Sequence, residues 1–286
     1  MKLTKHHGLG NDFLIHLASD PAYNLDSAPC SGSGAGTGGP LAASDIGADH
    51  ARLWCDRRRG IGADGLMVAT AQSTQDRWRM LLWNSDGSRA ELSGNGLRCL
   101  GQALAMQTGL SRFQVETDAG VRSIVVDDPK PGPQTLTVTA TVEMGAVQSM
   151  GDGWNRWTDV GLMVDRQLGV DVGNPHLVAL VGDPAQVDLE KVGPLVEESF
   201  DDGVNLEVVS VTANKVVTMR VWERGAGITQ ACGSGAVATA FAAHQWGLVD
   251  NVVDVTMPGG EVTVELGDQG ALLRGPATFI ADVEIA

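Results

Sequence analysis

Two short glycine motifs carry the residues best placed to do chemistry. Cys232-Gly233-Ser234-Gly235 and Ser93-Gly94-Asn95-Gly96 each precede a run that is mostly apolar, at 236–243 and 97–105. Such a pattern reads as a helix N-terminus, which offers unpaired N–H groups and about half a positive charge. It binds a carboxylate, and it lowers a cysteine pKa toward a thiolate. The glycines let the backbone approach a ligand closely. Cys232 therefore reads as a base or a nucleophile, with a buried small hydrophobe as the plain alternative. Glu223-Arg224-Gly225-Ala226-Gly227 lies just upstream. Glu223 suits an acid/base or acceptor role, and Arg224 suits a carboxylate. The plain alternative is a strand-end ion pair. Gly173-Asn174-Pro175-His176 is a polar turn. On these residues alone His176 reads as a satisfied turn histidine more readily than as a catalyst.

The elements that must position these groups are mostly strands. Apolar alternation predicts strands at 66–69, 78–83, 113–117, 121–126, 136–142, 177–181, 206–211, 216–222, 252–257 and 262–266. Helices are expected at 46–58 and 189–199, beside those that the two glycine motifs open. Asp118-Ala119-Gly120 and Pro258-Gly259-Gly260 read as hairpin turns. Ser93 and Cys232 stand 139 positions apart, close to half of the 286 residues. That spacing points to an internal duplication, with two helix N-termini facing each other across a cleft.

Composition removes other classes. The length suits about two domains. With 20 basic and 35 acidic residues the net charge is -15, which repels phosphate backbones and excludes nucleic-acid binding. No apolar run approaches the roughly eighteen residues of a membrane span, and the N-terminus has no apolar signal region. A cytoplasmic protein with reduced thiols is expected. The four cysteines form no C-x-x-C pair and the six histidines show no metal-ligand spacing, so no metal is expected. Residues 27–44, rich in Gly, Ser and Ala, read as a flexible surface insertion carrying an exposed, functionless Cys30.

Five segments together resemble the diaminopimelate epimerase family. They are His7-Gly8-Leu9-Gly10-Asn11-Asp12-Phe13, Asn84-Ser85-Asp86-Gly87-Ser88, Gly94-Asn95-Gly96-Leu97-Arg98-Cys99, Gly173-Asn174-Pro175-His176 and the run 223–235. They occur in the family's order and span nearly the whole chain. The resemblance implies an α/β fold of the α+β type: two similar domains, each a mainly antiparallel sheet curled around a central helix, with the site in the cleft between them. It implies domains at 1–145 with 275–286, and at 146–274. It also implies an isomerase that interconverts LL- and meso-diaminopimelate without pyridoxal phosphate or any other cofactor, on the lysine and cell-wall pathway. Its partner is the small amino-acid substrate, and family members are often homodimers. One cysteine, as thiolate, removes the α-proton and another, as thiol, returns a proton to the opposite face. By this resemblance Asn11, Asn84, Asn174 and Asn205 bind substrate. Glu223 and Arg224 grip the distal end, and Gly94, Asn95, Gly233 and Ser234 supply N–H groups to the reacting carboxylate. His176 sits near the thiols, and Cys232 is the second catalytic cysteine.

The pattern breaks at the first cysteine, where this chain has Ser93. A hydroxyl is far less acidic than a thiol, so Ser93 is a poor base without a partner. Cys99 does not replace it: six residues of helix turn the side chain about 240° away and raise it roughly 9 Å. Cys99 is expected to be a core thiol. Three readings of Ser93 stand: an engineered inactivation, a native Ser/Cys pair, or a shift to another reaction of the superfamily. That shift would make the chain a racemase of another amino acid or a hydroxy-amino-acid dehydratase. A non-catalytic binder of diaminopimelate is a fourth possibility. Gly65, where some members carry glutamine, is expected to loosen one distal contact.

Overall fold

Strands with one apolar face and one more polar face pair edge to edge through most of the chain. The computed structural model describes residues 1–18, 45–127, 136–151, 161–212 and 215–285. The 27–44 insertion and Cys30 lie outside the described residues. The chain divides into two units, Met1–Val142 with Pro276–Ala286, and Glu143–Gly275.

The first unit runs β1 (Lys2–Gly8), β2 (Asn11–Ala18), α1 (Ala48–Cys55), β3 (Gly65–Ala71), β4 (Arg77–Asn84), β5 (Arg89–Ala90), α2 (Gly94–Thr108), β6 (Arg112–Thr117), β7 (Gly120–Asp127) and β8 (Thr137–Gly145). The second runs β9 (Gln148–Ser149), β10 (Arg166–Asp171), β11 (Pro175–Leu180), α3 (Leu189–Glu198), β12 (Asn205–Val211), β13 (Val217–Glu223), β14 (Gly227–Ile228), α4 (Gly233–Gln245), β15 (Val252–Met257), β16 (Gly260–Gly267) and β17 (Gly270–Glu284). The late part of β17 returns to the first unit and pairs with β1, from Thr278↔His7 to Glu284↔Lys2.

The pairing pattern of one unit repeats in the other. β2 lies parallel to β3, β3 antiparallel to β4, β4 parallel to β6, and β6 antiparallel to β7. In the second unit β11, β12, β13, β15 and β16 pair in the same order and senses. The parallel steps need crossovers, and in both units helices supply them.

Each unit holds one buried helix. In α2 every residue from Gly94 to Ala105 is buried, and the helix packs on β1, β2 and β7. Leu97, Leu100 and Leu104 are sealed from solvent, each stabilising by about 1.5–3 kcal/mol. Gly109 ends the helix in the left-handed conformation, φ 73°, with its N–H on Ala105 O. α4 is buried on nearly all faces, through Ala236, Val237, Ala238, Ala240, Ala242 and Ala243. The small side chains let strands β10 to β13 and β15 to β16 close in. α1 and α3 lie outside their sheets, Trp54 packing with Leu66 and Leu81, and Val192 with Leu206.

The structure shortens the helix expected at 46–58 to α1. Asp56 Oδ1 accepts from both Arg58 N and Arg59 N, which turns the chain out of the helix. Strands β1, β2, β10 and β17 escape the apolar pattern. β1 carries His6 fully buried, bonded to Gln102 and Thr4, its pKa pushed down to about 4 by burial. β17 carries Pro276 in mid-strand. Among the described residues no helix is long and apolar enough to cross a membrane.

Gly193 supplies a test of packing against propensity. A Cβ there would meet three atoms of the Trp222 indole at 2.3–2.6 Å. Helix propensity alone favours Gly193→Ala by about 1 kcal/mol, but overpacking costs about 1–3 kcal/mol. Urea denaturation of Gly193→Ala is expected to show a lower midpoint; a raised midpoint would show the indole moves freely.

Candidate active site

The N-cap of each central helix places one side chain over its first turn. Ser93 is extended, φ -141° and ψ 118°, and its Oγ accepts from Gly96 N at 3.1 Å. Cys232 has nearly the same backbone, φ -126° and ψ 116°, and its Sγ accepts from Gly235 N at 3.4 Å. An N-cap needs a short side chain with an acceptor, and serine and cysteine both provide one. The caps leave the first two helical amides, of Gly94 and Asn95 and of Gly233 and Ser234, outside the helical ladder.

In the first unit the surroundings of Ser93 are amides. Asn95 Nδ2 donates to Asn11 Oδ1 at 3.2 Å, and Asn11 Nδ2 donates to Asp64 Oδ2 at 2.8 Å. Arg57 bridges Asp64 and Asp12, and Lys5 completes the cluster. Behind Asn95, Arg98 is fully buried and donates through Nη2 to Asn95 Oδ1 at 2.9 Å and through Nε to Pro276 O. Burial pushes the Arg98 guanidinium down to about 10. Asn84 is exposed at the end of β4 and donates to Ser88 Oγ. Cys99 is a sealed core thiol, pushed up to about 12 by burial, as its helical phase requires. A side chain at position 65 would press on Trp83 O and the Phe13 ring. The glycine there serves packing.

In the second unit the surroundings of Cys232 are acids. Glu223, at the end of β13, takes the Thr229 hydroxyl on Oε1 and lies close to the Cys232 thiol. Burial raises the Glu223 pKa, while the hydroxyl and the thiol pull it down. Glu207, on β12, is fully buried and lies against Gly235. His176 Nδ1 is 2.7 Å from Glu207 Oε1, and Nε2 is 3.0 Å from Asn174 Oδ1. Asn205 is held by backbone at both ends, donating to Pro175 O at 2.8 Å and accepting from Arg224 N at 2.9 Å. Arg224 is exposed and donates to Asp202 O. Glu197 ties the loop down by accepting from Gly225 N and Trp222 Nε1.

One sequence expectation changes here. The helix N-terminus was expected to lower the Cys232 pKa toward a thiolate. Instead burial first, then the charges of Glu223 and Glu207, push this thiol well above its ordinary value. The Gly235 N–H and the Ser234 hydroxyl pull it down by less. The two ring bonds of His176 go to Glu207 and Asn174. Glu207 and Thr229 were not singled out from sequence. Glu207 sits inside the predicted strand 206–211, and a charged residue at a core position of a strand is the signal that pointed to it.

The model of the family described as diaminopimelate epimerase matches residues 41–150 and 169–280. The chain belongs to the diaminopimelate epimerase family. It is 36% identical over 295 residues to the diaminopimelate epimerase of Magnetococcus marinus, covering 98% of this chain and 95% of that one. It is 36% identical over 303 residues to that of Thermobifida fusca, covering 100% and 98%. Among solved structures it is similar to a hydroxyproline epimerase from Agrobacterium vitis, with a TM-score of 0.66 at 15% identity, covering 99% of this chain and 91% of that one. A phenazine biosynthesis protein of the PhzF family from Bacillus anthracis gives 0.66 at 16%, covering 100% and 99%. These likenesses show that this chain shares its α+β fold with both proteins.

The acid-rich setting of Cys232 makes a direct prediction. Peptide-resolved iodoacetamide labelling of Cys232 is expected to stay low at pH 7 and to rise only above the ~8.5 of an ordinary thiol. Extensive labelling at pH 7 would show a thiolate and overturn the assignment.

Proposed function

We propose that this protein is an isomerase that interconverts LL- and meso-diaminopimelate by moving the α-proton from one face of the carbon to the other. The observation that carries the reading is the pair of like caps, Ser93 and Cys232, each with its γ-atom over the mouth of a buried helix. Epimerisation needs one proton-transfer group for each face of the carbon. We assign one face to Cys232 and the other to Ser93. The N-terminal turns of the two helices, at 94–95 and 233–234, are assigned to the α-carboxylate, onto which the charge of the carbanion spreads as the proton leaves. Asn11, Asn84, Asn174, Asn205 and Arg224 are assigned to substrate binding, as the family resemblance implies.

The chemistry of the two faces differs. Cys232 is held as a thiol, the form that donates a proton. Once that proton has gone to the α-carbon, Cys232 is left a thiolate, and Glu223, whose pKa burial raises, can hand it a proton and restore the thiol. Among the described residues no base bonds Ser93 Oγ, which accepts from Gly96 N. Passing a proton through Ser93 requires an alkoxide or a water, so turnover through that face is the slow step.

The same observation favours a second reading. Elimination of water from a β-hydroxy amino acid needs only one abstraction: the α-proton goes to the base and the β-hydroxyl leaves with a proton as water. A site with one strong proton-transfer face suffices for that reaction.

The test is proton exchange in D2O with LL- and meso-diaminopimelate, followed by NMR and chiral chromatography. The protein is expected to incorporate α-deuterium and to form both isomers slowly. Ser93→Cys is expected to speed isomer formation by about 10²-fold, and Cys232→Ser to abolish it. If neither the protein nor Ser93→Cys exchanges the α-proton, diaminopimelate is not the substrate.

A further inference from the structure

The two units can be read against each other position by position. In the first, β2 and β3 set Phe13 opposite Gly65 and Ile15 opposite Met67. In the second, β11 and β12 set His176 opposite Asn205 and Val178 opposite Glu207. The caps give the same correspondence independently. A Cβ on Gly96 would meet Met67 Cε at 2.0 Å, and a Cβ on Gly235 would meet Glu207 Oε1 at 2.7 Å. Met67 therefore corresponds to Glu207, and Phe13 to His176. One unit packs a thioether and a phenyl ring where the other buries a carboxylate and an imidazole.

Packing at this place asks for no charge, since Met67 and Phe13 fill it in the first unit, both buried. A buried carboxylate is costly unless bonded. Glu207 is sealed from solvent, with Oε1 on His176, while Oε2 has no hydrogen-bond partner among the described residues. A group kept at such cost, beside the cap of one helix and not the other, has a task that only that helix has. The task in question is proton transfer at Cys232.

We propose that Glu207 is a positioning residue for proton transfer at Cys232: it fixes the ring of His176 and lies against the glycine whose amide caps the sulfur. This rests on the reading of Cys232 as an acid/base. The carboxylate accepts on Oε1 and so favours a proton on His176 Nδ1. Its charge also favours the thiol form of Cys232, alongside burial and Glu223. The titratable groups around the sulfur are Glu223 on β13 and Glu207 on β12, with His176 on β11 behind Glu207. On the other strands packed against α4, Arg166, Asp254, Glu261 and Glu265 are exposed, and Asp171 is bonded to Gly173 N and Gln148.

The unit comparison supplies the variant. Glu207→Met carries the residue that the first unit already packs at this place, and Glu207→Gln removes only the charge. In both, the midpoint of the Cys232 alkylation pH profile is expected to fall, so that labelling below it runs about tenfold faster. Epimerisation is expected to lose about 10²-fold in kcat with little change in KM. A rise in labelling equal at every pH, or an unchanged midpoint, would overturn the proposal. So would unchanged kcat. In the unsubstituted protein, NMR with 15N-histidine is expected to show His176 protonated at Nδ1 and slow to exchange. A bare Nδ1 would overturn the proposal without any variant. If diaminopimelate is never turned over, the proposed function fails, while the alkylation and NMR readouts still decide Glu207.

Discussion

A helix surrounded on nearly every face by strands cannot leave its first amides to water. It must satisfy them from its own sequence or from a bound ligand, because an unpaired buried N–H is costly. α2 and α4 are such helices, and their caps follow from the need. The residue before each helix must be extended and must carry an acceptor one bond beyond Cβ, which Ser93 and Cys232 both do. The third helical position must lack a side chain, because β3 or β12 already presses there through Met67 or Glu207. The same geometry that satisfies the third amide sets the positive end of the helix at its first turn. A structural requirement and an anion-binding mouth are one arrangement.

Two units built on that arrangement have become chemically unequal. Around Ser93 the network runs through asparagine amides to the Asp64, Arg57 and Asp12 cluster, a stiff, neutralised surround. Around Cys232 stand Glu223 and Glu207, and their charges add to burial to outweigh the field of the helix. The helix end was a sound reason to expect a thiolate, but its pull is set against burial and two nearby carboxylates. Which force prevails depends on how deep the sulfur lies, and depth is a property of the folded chain.

Much of this was readable beforehand because it is local. Alternation in 113–117 and 252–257 marks strands that are half buried, and the glycine motifs mark where both central helices begin. Cys99 could be placed in the core from helical phase alone. What escaped is set by distant partners. Lys2–Gly8 hides a strand because His6 finds Gln102 far along the chain. Residues 275–286 are assigned to the first domain by the family resemblance and not by alternation, and Pro276 stands in mid-strand there. Glu207 could be seen as a charge within an apolar strand, but its meaning came only from the register that sets it against His176 and Gly235.

The last strand also bears on how the protein can be made. β1 finds one of its two neighbours in β17, and the amino group of Met1 bonds the carbonyl of Ile285, 284 positions away. A chain made from its N-terminus presents β1 long before β17. The first unit therefore has no finished sheet until β17 is made, although most of its residues precede that strand. The second unit has nearly all its strands before that moment. Completion of the fold thus runs against the order of synthesis, and the exposed edge of β1 must be kept from other strands until its partner arrives.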